Sequence, residues 1–376
     1  MADRSFDCEP ERRLLTRRKA MAGIGAVGSL VLGGIVPAYS STLLHSSSIS
    51  RGTLSSGTAS SSGTSDNELD QAVQKGLEWL AGSQTRTGSW PHDTYPTAMA
   101  ALAGTALLCG GSTTTQGPFA QNIRRTVDFL TSKCRRNGLI GDPQRDNRYT
   151  YGHGFAMLFL SQVLGEEEDM DRRQELTGIL ERAVEFSVSA QTEEGGWGYV
   201  SGEDNSFDEG STTITQVQGL RGCRNAGIVV PRQAIDDARN YIYKCQNSDG
   251  GISYSTGQLG SSRPAITAAA LAALYNAGDY ESEYIPTMWE YCKKNLHNIQ
   301  SGQYGHWHYT YLYYTQVVYR QNRDVWEPFR DRLYSEIIAD QRADGSWDGQ
   351  VGAVYVTSCN LIMLQMDNGF LPIYQR

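Results

Sequence analysis

The sequence has no surplus of positive charge. Its 376 residues include 33 Lys and Arg against 41 Asp and Glu, for a formal net charge of −8. A protein that binds nucleic acid neutralises backbone phosphates with clustered basic side chains. Here the Lys and Arg residues mostly fall on helical faces beside acids, which is the pattern of a solvated surface. We therefore predict no nucleic-acid partner.

Cysteines are few, and no two of them lie close together along the chain. Apart from Cys8 they are Cys109, Cys134, Cys223, Cys245, Cys292 and Cys359. Such wide spacing contains no metal-binding motif, and we predict neither a metal nor another cofactor. An oxidising compartment permits disulfides, but small buried thiols within helices are the interpretation that we favour.

Apolar residues run together at 20–36, although glycines dilute this stretch. Basic residues precede it at 12–13 and within 16–19, and Pro-Ala-Tyr-Ser follows at 37–40. This order is typical of a signal peptide, and the paired arginines resemble a twin-arginine signal. About 17 residues is short for a membrane span, so an uncleaved anchor is the alternative. We predict that residues 1–40 direct the protein to the periplasm or the cell exterior.

Residues 41–67 are predicted to form a linker, because most residues in this stretch are Ser, Thr or Gly. Such a segment is too polar to bury and too flexible to order. It would hold the following domain, residues 68–376, away from the membrane. The N-terminal segment is the one membrane contact that we predict.

From residue 68 onward, a polar helix pattern, a turn and a more apolar helix recur six times. Four copies share a Gln with a Gly four residues later: Gln84 and Gly88, Gln191 and Gly195, Gln246 and Gly250, Gln341 and Gly345. Three copies add a tryptophan two residues further on: Trp90, Trp197 and Trp347. We call the position of this Gln, between the two helices of a repeat, the joint. In the two degenerate copies, Cys134 and Leu296 stand at the joint instead of Gln. Steps of roughly 45–57 residues are typical of stacked helical hairpins.

The second helix of each repeat is almost entirely small or apolar, as in residues 97–102 and 265–271. A helix that is apolar all round is buried on every side. Twelve helices that alternate in this way predict an all-α fold of two concentric rings, with the apolar helices around a central cavity. At each joint we expect the Gln to bond orphan backbone groups, the Gly to end the helix in a left-handed conformation, and the Trp to cover the joint.

This punctuation resembles the repeat of squalene-hopene and oxidosqualene cyclases, and similar hairpins build the β subunits of protein prenyltransferases. The resemblance runs from about Glu68 to the C-terminus. It implies a single closed (α/α)6 toroid. It does not imply a reaction, because one fold carries several chemistries.

Three motifs of proteins with this fold are absent from the sequence. There is no Asp-x-Asp-Asp run for a cyclase acid, no Asp-x-Cys pair for a prenyltransferase zinc site and no Cys-Gly-Glu-Gln for a thioester. The nearest acids, Asp208 and Glu209, precede the third inner helix and are our candidates for a catalytic acid. Acids at a helix start also interact with the helix dipole, which is the simpler explanation. Enzymatic activity stays open; the resemblance implies a cyclase-like or prenyltransferase-like reaction if there is one.

Polar aromatic residues open two inner helices, the second at 149–153 and the fifth at 306–314. In a ring of six these helices lie opposite each other, so both would face one pocket. We predict His153 as a third catalytic candidate. The predicted ligand-binding residues are Tyr151, His306, His308, Tyr309, Tyr311 and Tyr355. Hydrogen-bonded packing is the structural alternative for these residues.

Three functions are open from the sequence. Aromatic faces in an apolar chamber suit an isoprenoid ligand. Tyr and His also suit sugar stacking and proton transfer, as in a carbohydrate-acting or carbohydrate-binding toroid. A non-catalytic scaffold outside the cytoplasm is the third interpretation, and the sequence identifies no protein partner for it. A closed apolar chamber favours the first, an open polar groove the second and a filled core the third.

Overall fold

The computed structural model describes residues 65–92, 94–202, 207–299 and 306–375. The predicted signal segment and nearly all of the predicted linker lie outside these ranges. Within them, no helix is long and apolar enough to cross a membrane. Twelve α-helices are present in the described chain: α1 (Asp66–Gly82), α2 (Pro96–Cys109), α3 (Ala120–Ser132), α4 (Tyr149–Leu164), α5 (Met170–Ser189), α6 (Gly210–Asn225), α7 (Arg232–Lys244), α8 (Pro264–Ala277), α9 (Tyr284–Leu296), α10 (Trp307–Tyr319), α11 (Arg323–Ala339) and α12 (Ala353–Leu364).

The even-numbered helices form an inner ring, and the odd-numbered helices pack around it. Each inner helix contacts the next along the chain, from α2 through to α12. The ring closes because α12 packs against α2 and α11 packs against α1. The predicted (α/α)6 toroid is therefore confirmed, and its first and last repeats are neighbours.

The two rings differ in burial as their sequences predict. Outer helix α3 buries Ile123, Thr126, Val127 and Leu130, which form one stripe of a helix whose other face meets solvent. Inner helix α2 buries every one of its 14 residues. A single hairpin cannot cover such a helix, so each repeat depends on its neighbours for burial.

The first helix begins two residues before the predicted domain boundary at residue 68. Ser65 caps it, with the Ser65 Oγ accepting from the Glu68 backbone N at 3.3 Å and the Ser65 N donating to Glu68 Oε2 at 2.9 Å. This capping box satisfies two backbone donors that a helix start leaves unpaired. Glu68 is therefore the third residue of α1 rather than the first of the domain.

The joint glutamines bond across the boundary between repeats. Gln341 Nε2 donates to Gly345 O at 2.9 Å within its own turn and to Ala72 O at 2.8 Å in α1. This bond links the last repeat to the first. Equivalent pairs of bonds, one within the turn and one to the next outer helix, are made by Gln84, Gln191 and Gln246.

The joint tryptophans bond within their own repeat. Each Nε1 donates to a carbonyl of the preceding outer helix ten residues earlier: Trp90 to Leu80 at 2.7 Å, Trp197 to Ser187 at 2.7 Å, and Trp347 to Ile337 at 2.6 Å. All three rings are almost completely buried. They fix the turn against the helix that precedes it.

The joint glycines are left-handed, as predicted, but the prediction that they end the helices is wrong. Gly345 has a φ of 91° and lies in a turn after the end of α11, with its N donating to Arg342 O at 2.9 Å. A Cβ at this position would overlap the backbone carbonyl of Lys75 in α1. Glycine is thus required both by the turn conformation and by the close approach of the next repeat.

The fifth joint lies two residues beyond its predicted position. In other repeats the joint residue follows two residues after the outer helix ends, as Gln84 follows α1 and Cys134 follows α3. Because α9 ends at Leu296, the equivalent residue is Asn298. Leu296 itself is completely buried, which explains why an apolar residue stands there.

A short C-terminal segment lies at the carboxyl ends of the inner helices. The 3-10 turn Pro372–Tyr374 packs against α6. Arg320, which caps α10, donates from Nη2 to Ile373 O at 3.1 Å. Tyr374 is buried. This end of the ring is therefore occupied by the chain's own residues.

The six described cysteines are not joined by disulfides, in agreement with the thiol interpretation. All except Cys134 are buried. Burial raises the pKa of the Cys223 and Cys359 thiols to about 12. Thiols of this kind are chemically inert and serve as small packing groups.

Replacing Gln341 by Ala tests the bond that closes the ring. The change leaves the Ala72 and Gly345 carbonyls without this donor, and we expect the free energy of unfolding to fall by about 1–3 kcal/mol. Urea unfolding followed by circular dichroism measures the effect. Gln71→Ala, at an exposed position of α1, is the control, and an equal loss in both variants would contradict the assignment.

Candidate functional site

A cavity of about 510 Å³ opens at the end of the toroid where the inner helices begin. Every inner helix contributes a lining residue from its first turn: Met99 from α2, Tyr151 from α4, Ser211 from α6, Ile266 from α8, Tyr309 from α10 and Tyr355 from α12. The two helices predicted to face each other, α4 and α10, do supply opposite walls. Their tyrosines meet at Ser211, because the Tyr151 hydroxyl hydrogen-bonds its Oγ and the Tyr309 hydroxyl donates to its backbone O at 3.5 Å.

The wall of the cavity inside the mouth is apolar. Ala98, Met99 and Leu102 line one side along successive turns of α2. Phe155 follows Tyr151 by one turn of α4, and Ile266 lines the cavity from α8. These side chains offer a ligand no hydrogen-bonding group. The wall therefore suits an apolar part of a ligand.

Two arginine–tyrosine pairs stand at the mouth. The Arg148 guanidinium lies 4.3 Å from the centre of the Tyr199 ring, and that of Arg263 lies 4.6 Å from the centre of the Tyr254 ring. The two tyrosine hydroxyls hydrogen-bond each other, which joins the pairs. Phe207 packs against both tyrosine rings, with centroid distances of 6.3 and 6.2 Å.

The two guanidiniums bring positive charge to the mouth. In the described part of the chain, neither Arg148 nor Arg263 has a carboxylate within ion-pair distance. An arginine stacked on an aromatic ring keeps its N–H groups at the edge of the plane for another acceptor. The amino ends of six inner helices add partial positive charge at the same end of the ring. The mouth therefore suits an anionic group.

Glu209 is completely buried and caps α6. Its carboxyl oxygens accept from the backbone N atoms of Ser211 at 2.9 Å and Thr212 at 2.6 Å, and the Tyr151 hydroxyl donates to Oε1 at 3.3 Å. Burial raises the pKa of Glu209, while the hydrogen bonds from Ser211 and Thr212 oppose the shift. These contacts support the helix-start explanation for Glu209, and they also connect it to the cavity wall through Tyr151.

Asp208 is not one of the residues that line the cavity. It is buried beside Thr256, whose Oγ1 donates to the two carboxyl oxygens at 3.4 and 3.3 Å. Burial raises the pKa of Asp208, and hydrogen bonding by Tyr241 and Thr256 opposes this. The residue joins the loop before α6 to the loop before α8.

His153 faces the outer ring rather than the cavity, which corrects the prediction that it lies in the pocket. Its Nδ1 accepts from Ile140 N at 3.1 Å, and its Nε2 lies 3.1 Å from Ala183 O in α5. Both ring nitrogens are thus engaged with backbone groups. Burial lowers its pKa to about 4. A neutral histidine in these contacts acts as packing.

The predicted residues at the start of α10, from its N-cap His306 to Tyr311, divide between three environments. Tyr309 lines the cavity, and His306 stands at its mouth. Tyr311 is completely buried toward the outer ring, with its hydroxyl donating to Leu296 O at 3.0 Å, which corrects its predicted place in the pocket. His308 lines a separate side cleft, where burial lowers its pKa to about 4. Residues two apart on a helix point to nearly opposite sides.

The four residues that form the arginine–tyrosine pairs at the mouth were not predicted from the sequence. Arg148 and Arg263 directly precede inner helices, and Tyr199 and Tyr254 lie in the loops between outer and inner helices. No helical periodicity covers these loops. The sequence does contain a signal for the two arginines. Arg148 directly precedes the inner helix of the second repeat, and Arg263 directly precedes that of the fourth.

A closed toroid with a ligand-sized central cavity defines the class of protein. The family model for the prenyltransferase alpha-alpha toroid domain matches residues 63–221 and 211–311. These ranges cover more than half of the chain, which belongs to this family. The search of curated proteins found no match.

Solved structures show the same fold at low identity. Type II terpene cyclase MstE from Scytonema is 14% identical, with 81% of this chain and 99% of that chain covered and a TM-score of 0.55. An MstE variant in complex with its substrate geranylgeranyl dihydroxybenzoate is 13% identical, with 82% and 98% covered and a TM-score of 0.52. The GH76A alpha-1,6-mannanase from Salegentibacter sp. HEL1_6 is 8% identical, with 79% and 98% covered and a TM-score of 0.59.

Replacing His153 by Gln tests the neutral packing role. The pKa of His153 falls from an ordinary 6.5 to about 4 in the folded state, so the unfolded chain binds a proton first as the pH falls. We expect this residue to lower the free energy of unfolding of the parent protein by up to about 3 kcal/mol between pH 6.5 and 4.

Urea unfolding at pH 7, 5.5 and 4 measures the effect. The H153Q variant is expected to lose this part of the pH dependence, whereas His92→Gln retains it. Parallel pH profiles for the parent and H153Q would contradict the assignment.

Proposed function

We propose that the protein binds an isoprenoid ligand in the central cavity, with the apolar chain against the inner helices and an anionic head group at the mouth. The observation that carries this proposal is the polarity of the cavity, apolar inside and cationic at its rim. Hydrophobic burial contributes about 25 cal/mol for each Å² of apolar surface removed from water. Arg148 and Arg263 would orient the ligand by binding its anionic head group at the mouth.

The size and shape of the cavity support the same ligand class. A volume of about 510 Å³ lies within the range of roughly 300–1,000 Å³ for small-molecule sites. Tyr151 and Phe155 line the cavity from α4, and Tyr309 lines it from α10. A glycan requires hydrogen-bonding partners along its length, and the wall formed by Ala98 and Leu102 has none.

The neighbours of known structure support a cavity ligand and include both chemistries. MstE has been solved with geranylgeranyl dihydroxybenzoate, an isoprenoid chain on an aromatic head group. The mannanase has been solved with alpha-1,6-mannotriose. The apolar wall favours the first chemistry for this chain.

We propose binding rather than catalysis. Asp208 and His153 lie away from the cavity, each in contacts that their packing explains. Glu209 reaches the wall through Tyr151, but its oxygens accept from backbone and hydroxyl donors of α6. Capping of α6 therefore explains the position of the Glu209 carboxyl group without a catalytic role.

We also propose that the protein acts outside the cytoplasm. The support is the order of basic residues, apolar stretch and small residues within 1–40. Proteins that are exported through a twin-arginine signal fold before they cross the membrane. Such a protein would meet a lipid ligand at or beyond the membrane.

Replacing Arg148 and Arg263 by Gln tests the head-group site. Each guanidinium would form charge-assisted bonds of about 1–2 kcal/mol, so we expect each variant to bind geranylgeranyl phosphate roughly five- to thirtyfold more weakly. Binding of geranylgeraniol, which has no charge, is expected to change little. Isothermal titration calorimetry measures both ligands.

Arg232→Gln is the matched control, because this arginine is exposed on outer helix α7. Equal losses for the phosphate and the alcohol would contradict an anionic head-group site. Mannooligosaccharide binding without isoprenoid binding would overturn the proposed function in favour of a glycan. Native mass spectrometry of the purified protein provides an independent check for a co-purified lipid.

Replacing Arg17 and Arg18 together by Lys tests the export route. Twin-arginine signals depend on the arginine pair, so we expect a reporter fused after residue 67 to remain in the cytoplasm. Cell fractionation of the fusion measures its location. Replacing Arg12 and Arg13 together by Lys is the control, and unchanged export of the first variant would exclude the twin-arginine route.

A further inference from the structure

A side cleft of about 310 Å³ lies between α10, the end of α11 and α12. It borders the central cavity, because His306, Val351 and Tyr355 line both. Its other walls differ from those of the cavity in charge. The mouth of the cavity carries arginines, whereas the cleft carries three carboxylates from Glu336, Asp340 and Asp348.

Two of the three carboxylates, those of Glu336 and Asp340, have no ion pair within the described structure. Glu336 lies in the last turn of α11 and Asp340 caps it, while no basic residue stands in that turn. Acids at the carboxyl end of a helix face the negative end of its dipole, where cations are favoured. Among the lining residues of the described chain there is no Lys or Arg. Asp348 alone has an ion pair, to Arg342 at 2.9 Å.

Two buried polar atoms at this cleft lack partners. Asn360 is 2% exposed, and its Oδ1 has no hydrogen bond within the described structure. The Trp307 Nε1 is also buried without a partner there. Buried polar groups are normally satisfied. As a residue lining the cleft, Asn360 leaves an acceptor free for a ligand that donates a hydrogen bond.

Aromatic rings complete the cleft. Trp307 and Tyr355 line it, and Trp307 is held by rings on two sides, with centroids 4.9 Å from His308 and 4.6 Å from Tyr311. Burial lowers the pKa of His308 to about 4, so this residue adds no positive charge at neutral pH. Aromatic faces and carboxylates together recognise organic cations.

We propose that the side cleft binds a small organic ammonium ion. Its charge lies against Glu336 and Asp340, its carbon substituents contact Trp307 and Tyr355, and a donor on the ligand reaches Asn360 Oδ1. The limited volume favours a free small ligand over a polymer segment. The cleft borders the site proposed for the chain ligand, but the ammonium proposal does not depend on that ligand.

The test compares choline with its uncharged isostere 3,3-dimethylbutan-1-ol by titration calorimetry on the full chain. The two probes share shape and hydroxyl group, so the difference reports charge alone. We expect choline to bind at least tenfold more tightly, and to weaken as salt is raised. Equal affinities, or no choline binding at 20 mM, would overturn the proposal.

The double variant Glu336→Gln and Asp340→Asn removes the carboxylates while preserving side-chain size. We expect it to bind choline at least fivefold more weakly, without a lower midpoint of thermal unfolding, because acids at a helix end are not stabilising. Glu181→Gln with Glu185→Gln, two exposed acids at the same spacing on α5, is the matched control. Unchanged choline affinity in the first double variant would reject the cleft as the site.

Two further arms separate this proposal from the function of the central cavity and identify the source of the ammonium group. The double variant Glu336→Gln and Asp340→Asn is expected to retain its affinity for geranylgeranyl phosphate. Weaker choline binding with unchanged geranylgeranyl phosphate binding would separate the cleft from the central cavity. Ethanolamine in solution is compared with vesicles of phosphatidylcholine containing phosphatidylethanolamine. Binding to the vesicles alone would overturn the assignment to a free small ligand.

Discussion

The inner helices must be covered on every side, and the rest of the structure depends on this constraint. Every residue of α2 is buried, which its own hairpin cannot achieve. In an open stack, one face of α2 and one of α12 would remain in water. Closure of the ring lets these two faces bury each other, and Gln341 and Gly345 hold the closing joint against α1.

Closure also determines where a ligand can lie. Because all six inner helices run in the same direction, their first turns converge at one end. At the other end, the segment Pro372–Tyr374 packs against α6 and accepts a hydrogen bond from Arg320, which caps α10. Convergent helix starts create both the cavity and its positive electrostatic character. Arg148 and Arg263 add full charges at that end, whereas Glu336 and Asp340 give the neighbouring cleft the opposite sign. Two adjacent sites of opposite polarity result from one architecture.

The repeats made the fold predictable, while the candidate site was predictable in part. Tyr151 and Tyr309 line the cavity as expected, but His153, two residues from Tyr151, faces the opposite side of the same helix. For an inner helix that is apolar all round, the sequence contains no polar stripe to show which side faces the axis. Arg148 and Tyr199 lie at the joints, where side-chain positions depend on packing between repeats rather than on periodicity.

The sequence by itself determined the number of hairpins, the alternation of outer and inner helices and the glycine turns at their joints. These features follow from local spacing and from how apolar each helix is, which neighbouring residues specify. The tertiary structure alone decided the rotation of each inner helix about its axis and the meeting of Arg148, Tyr199, Tyr254 and Arg263. Such contacts depend on the closed ring, since residues from different repeats come together only when the last repeat packs against the first.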